Sequence, residues 1–142
     1  RVLFRSIYYP LKGCKKSGTI SMNIIDKTDE EILAIAHPMW DDLIKFSNNA
    51  NYGAFTRNFS EDFLRGANEV EMGKQFARSE LTKGLEKGAD YLGMIRRGEH
   101  VTVLYRQTNN GKLNSKKEGE YLGRLVLGYE GDVVKIFGAT IF

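Results

Sequence analysis

The residues of this chain that could do chemistry are few, and their spacing limits what that chemistry could be. The two histidines are His37 and His100. His37, beside Pro38, reads either as a general base titrating near neutrality or as a residue that caps or lines a helix kink. His100 falls at a hairpin, where an exposed turn role is expected. The two are widely separated and no acids stand at ligand spacing, so no metal site is expected. The single cysteine, Cys14, lies in a leader of 21 residues, which leaves the domain neither a disulfide framework nor a thiol nucleophile. No catalytic motif names a reaction, and no cofactor is expected.

What remains is a set of residues suited to holding a ligand. Trp40, Phe55, Phe59 and Phe76 recur at helical spacing, which fits either a cavity wall or an ordinary core. Tyr105 and Arg106 are polar anchors on a predicted strand. Either Arg106 or Arg124 could fix an anionic or carbonyl group, or both could lie on a solvated face. The candidate ligand-binding set is Trp40, Phe55, Tyr91, Tyr105 and Arg106, with Tyr91 on the first predicted strand.

These residues must be positioned by a helical half followed by a sheet. Thr28-Asp29-Glu30-Glu31 has the capping-box spacing, so a helix starts there. Apolar residues at Ile32, Ile35, Ala36, Met39, Trp40, Leu43 and Phe46 form one stripe. Pro38 removes the donor for Ala34, which predicts a kink or short break near His37. Asn51 is placed to cap a short second helix, Tyr52 to Phe59. Ser60 can cap a further turn through Leu64, closed by Gly66. Asn68 and Glu71 repeat the capping spacing, and a third helix is expected to reach about Leu85 with Val70, Phe76, Ala77 and Leu81 inward.

The segments Asp90–Arg97, Val101–Gln107, Glu120–Tyr129 and Asp132–Phe142 are rich in Val, Ile, Leu, Tyr and Phe and read as four strands. Arg97-Gly98-Glu99-His100 puts Gly first in a two-residue loop, and Tyr129-Glu130-Gly131-Asp132 puts it second. Thr108–Gly119 reads as a long loop. The expectation is an α+β domain: three helices laid on a curved, cone-like antiparallel meander of four strands. Strand parity puts Tyr121, Leu125, Leu127 and Tyr129 on one face and Leu122 and Val126 on the other, and sets Val133 and Phe137 against Val134, Ile136 and Phe142. Both faces are apolar. Helices can cover only one, so a homodimer packed through the sheet is expected.

The chain of 142 residues has a net charge of +3. Its basic excess belongs to residues 1–21, which carry Arg1, Arg5, Lys12, Lys15 and Lys16 and no acid; from Met22 onward the balance is −2. Arg1–Ser6 resembles the conceptual translation of a sequencing adapter, so residues 1–21 are expected to be non-native or disordered and residues 22–142 to form one domain. A slightly acidic body without a basic, aromatic-bearing stripe argues against nucleic acid as a partner. No run has the length of a signal peptide core or a membrane span, so no membrane partner is expected and the expected location is the cytoplasm.

Several segments together resemble a known superfamily: Trp40-Asp41-Asp42-Leu43-Ile44, Asn51 to Ser60, Tyr91-Leu92-Gly93, Val101 to Tyr105, Leu122 to Leu127 and Val134 to Gly138 are similar to the nuclear transport factor 2-like (SnoaL-like, cystatin-like) domains. The resemblance implies a cone of curved sheet and helices, open at one end, able to hold a small apolar molecule. That superfamily includes ketosteroid isomerase-like and polyketide cyclase-like enzymes, dehydratases and non-catalytic binding or assembly domains, so the fold does not choose among them. Leu43 stands where the isomerases carry a helix tyrosine, and Glu61 and Asp62 fall in an exposed turn. Three readings rank in this order: a binding domain for a small apolar ligand; an isomerase, cyclase or dehydratase using His37 or a pocket acid as base; a homodimerisation or partner-binding module.

Overall fold

The structure, a computed structural model, describes residues 22–66, 84–112 and 114–142. Asn23 caps a 3-10 turn at Ile24–Asp26, accepting from the Ile25 N–H, and buried Ile24 anchors that turn to the core. Helix α1 then runs over Asp29–Asn48. Its capping box is present: the Glu31 N–H donates to Thr28 Oγ1 at 3.2 Å and the Thr28 N–H donates to Glu31 Oε1 at 3.0 Å. The buried face is Ile32, Ala36, Trp40, Leu43, Ile44 and Ser47.

Pro38 does not break α1. The expected interruption fails for a local reason: Ala34 and Pro38 both lie on the exposed side, so the carbonyl that loses its donor faces water while the buried stripe keeps the helix docked. The second helix is shorter than its pattern suggests. Asn51 Oδ1 accepts from the Ala54 N–H as expected, but α2 covers only Tyr52–Phe55. Beyond it, Phe59 pairs in parallel with Ile136, with the Ile136 N–H donating to Asn58 O at 2.7 Å and the Ser60 N–H to Ile136 O at 2.8 Å. An open strand edge has taken the backbone that a longer helix would have used.

Ser60 Oγ accepts from the Phe63 N–H and opens α3, Glu61–Gly66. The third long helix expected from Asn68, with Val70, Phe76, Ala77 and Leu81, lies outside the described residues. Where it was to end, Leu85 instead bridges Asn109 in antiparallel fashion. The Asn48 side chain holds it there, donating to Leu85 O at 2.8 Å and accepting from its N–H at 3.3 Å.

Four strands complete the chain: β1 Asp90–Arg97, β2 His100–Asn109, β3 Gly119–Glu130 and β4 Val133–Ile141. They form one antiparallel meander in the order β1-β2-β3-β4. Gly98, at φ +63°, leads the first two-residue loop. In the last hairpin Glu130 pairs with Val133, so the loop is Gly131-Asp132 and Gly131, at φ +66°, also comes first, one place from where the sequence puts it. Register slips between Tyr91 and Gly93 on β1 and opposite Val126/Leu127 on β4 mark bulges at Leu92 and Phe137.

The Phe137 bulge inverts the parity of the rest of β4. Leu127 pairs with Ile136 but Leu125 pairs with Ala139, so Ile136, Ala139 and Ile141 all join the core and Phe142 moves to the opposite face from Ile136. The expectation that Phe142 shares a face with Ile136 is corrected accordingly. α1, the short helices and Leu85 cover one face, over Val101, Val103, Tyr105, Leu125 and Leu127. This is an α+β domain with a helical layer on a four-stranded sheet.

Candidate functional site

On the helical face the aromatic residues of α1 meet β2. The Trp40 indole stacks on the Tyr105 ring at 5.1 Å between centroids and 16° between planes. Its Nε1–H donates to Gln107 Oε1 at 3.0 Å, and Gln107 Nε2 in turn donates to Glu86 O at 2.7 Å and Thr108 O at 3.1 Å. Tyr105 is buried, and its hydroxyl lies 2.9 Å from His37 Nδ1. Burial first, with Asp41 and Tyr91 adding to it, pushes the Tyr105 phenol well above the ordinary tyrosine range. His37 thus lines the helix beside Pro38 and joins a polar chain.

Among the described residues, the space found beside Trp40 and Phe55 is small. The space bounded by Trp40, Leu43, Ile44, Ser47, Phe55, Leu85, Ala139, Thr140 and Ile141 is about 10 Å³, no more than one water molecule needs. Trp40 and Phe55 border it. Tyr105 lies beneath Trp40, and Tyr91, 39% exposed on the edge strand, meets His37 edge-on at 6.1 Å. Arg106, next to Tyr105 on β2, necessarily faces the other side of the sheet, where it is exposed and reaches Asp90 at 3.4 Å and Glu120 at 3.9 Å. Trp40, Phe55, Tyr105 and Tyr91 therefore share the helical side, and Arg106 does not join them.

The opposite face holds a hollow of about 470 Å³, lined by Ile95, Arg97, His100, Thr102, Leu104, Leu122, Arg124, Val126 and Phe142. Its lining surface is mostly apolar, and among the described residues no Asp or Glu lines it. At one end the Arg124 guanidinium carbon lies 5.5 Å from the centre of the Phe142 ring. Arg124 pairs with Thr140 across the strands, so both side chains stand on this side of the sheet, Arg124 in the wall of the hollow and Thr140 buried beside it. Arg124 Nε and Thr140 Oγ1 are both buried without a hydrogen-bond partner among the described residues. Buried polar atoms are nearly always satisfied, so adjacent orphans are informative.

His100 marks the other end. The exposed turn role expected for it is corrected: it opens β2, is buried, and packs edge-on against Phe137 at 4.7 Å. Burial holds its pKa below the ordinary histidine value, with Glu99 opposing weakly. Sequence reasoning picks out Arg124 as a site residue but passes over Leu104, Leu122, Val126 and Thr140 in that role. The alternation Leu122, Arg124, Val126 is the available signal.

Among the described residues no group of three or more His, Cys, Asp or Glu could hold a metal ion. No helix among them is long and apolar enough to cross a membrane. No protein-family model matches the chain, and neither does any curated protein or solved structure.

Proposed function

We propose that this domain binds a small, largely apolar molecule in the hollow on the sheet face opposite α1, without catalysing a reaction. The observation that carries the reading is a contrast among the described residues, about 470 Å³ on the sheet face opposite α1 against about 10 Å³ beneath α1. Sites for drug-sized ligands occupy roughly 300–1,000 Å³ and are mostly apolar with a few polar groups, which describes this hollow. Kinship with nuclear transport factor 2-like domains is part of the proposal, with the ligand moved from between helices and sheet to the outer face. A thermal-shift screen of apolar compounds on the wild type and Leu122→Trp tests it. Ligands that raise the wild-type melting temperature should not raise that of the filled variant, and failure of every compound at millimolar concentration would remove the reading.

A second reading is favoured by the exposure of Ile95 (55%), Leu122 (39%) and Phe142 (37%) on this same face, which suits a homodimer packed sheet to sheet. Light scattering on a gel-filtration column distinguishes the two: a dimer at tens of micromolar that Leu122→Glu dissociates favours the second.

A further inference from the structure

We infer that the ligand of this hollow carries one carboxylate, taken by Arg124 and Thr140, with its hydrocarbon part lying along β2 and β3 toward His100. The inference rests on the binding site proposed above and names the chemistry of its occupant. Arg124 Nε–H and the Thr140 hydroxyl are two donors on directly paired strands, buried and unbonded among the described residues. Leaving such donors unmet is unfavourable by more than most contacts contribute, and a carboxylate offers two acceptor oxygens in one plane to answer both. The guanidinium is held over the Phe142 ring, which orients its in-plane donors before any ligand arrives.

The remaining wall fixes the rest of the molecule. From the Arg124 end, Leu104, Leu122, Val126 and Ile95 supply aliphatic surface. Leu104 pairs with Arg124 and His100 pairs with Gly128, so the hollow runs four residues of β2, about 13 Å at ~3.3 Å per residue. Arg97 and Arg124, with no lining Asp or Glu among the described residues, disfavour a cationic amphiphile. A medium-chain monocarboxylate, of which decanoate is the simplest probe, satisfies length, polarity and charge together.

The experiment is calorimetric titration of decanoate and decanol into the wild type, Arg124→Met and Thr140→Val. The wild type should prefer the carboxylate over the alcohol by roughly 10–100-fold, the range of one or two charge-assisted hydrogen bonds. Arg124→Met should bring the two ligands level by weakening decanoate alone, and Thr140→Val should narrow the gap in part. Equal wild-type affinities for both ligands, each lost in Leu122→Trp, would overturn the carboxylate inference and leave the binding site standing. Binding of neither ligand would overturn both. If Arg124→Met does not fold, Arg124→Lys, which keeps the charge but lacks the Nε donor, should lose most of the preference; an undiminished preference there contradicts the assignment.

Discussion

The indole of Trp40 rests directly on the backbone of Gly123. A Cβ built on Gly123 would fall into the Trp40 ring, closest to Cζ2 and 2.7 Å from Cη2. The approach of α1 to β3 at Trp40 depends on that missing methyl group.

Gly123→Ala should therefore destabilise the domain by ~1–3 kcal/mol, the usual range for overpacking, and Gly123→Val by more. Gly53 on α2 is the control, since nothing lies within 4 Å of a Cβ built there. Gly53→Ala should be neutral or stabilising by up to ~1 kcal/mol. Urea unfolding of the three variants checks the contrast; equal effects at the two glycines would contradict the packing described.

The Trp40–Gln107 hydrogen bond gives a second expectation. Gln107→Leu leaves the buried indole N–H and the Glu86 carbonyl unmet, so stability should fall by ~1–3 kcal/mol. Trp40→Phe in the Gln107→Leu background should recover part of the loss, because the orphaned indole donor goes with it. Denaturant midpoints of both variants test this, and Trp40 is the only tryptophan, so its emission reports the environment of the single variant directly.

Two buried groups predict opposite pH limits. The Tyr105 phenol is raised, so its neutral form favours the fold; that contribution is whole below about pH 10, the unfolded phenol value, and fades as pH climbs above it. The His100 imidazole is lowered, so its neutral form favours the fold; that contribution is whole above about pH 6.5 and fades as pH drops below it. Stability measured from pH 5 to 11 should form a plateau with two shoulders. Tyr105→Phe should flatten the alkaline shoulder and His100→Gln the acidic one, and a variant that leaves its own shoulder unchanged contradicts the assignment.

Much of the local chemistry is readable in the sequence. Thr28 with Glu31, Asn51, Ser60 and Gly98 mark element ends within reach of their own hydrogen bonds, and the alternation of β2 and β3 marks the sheet. Two misreadings have distant causes. α2 stops early because Ile136, far along the chain, offers Phe59 an edge to pair with. Phe142 changes face because of a bulge at Phe137 that no residue type announces. In the candidate site, Trp40 and Tyr105 are legible as neighbours, but whether a cluster encloses space depends on volumes summed over several elements. Thr140 can be paired with Arg124 only once the last loop is placed at Gly131-Asp132 and the bulge counted.

The central claim, that the space for a ligand lies on the sheet face opposite α1, is tested most directly by methyl-resolved NMR during titration with decanol. Methyl signals of Ile95, Leu104, Leu122 and Val126 should shift together and saturate, while those of Leu43, Ile44 and Ile141 beneath α1 stay still. Shifts confined to the second group, or none at all up to millimolar decanol, would contradict the account.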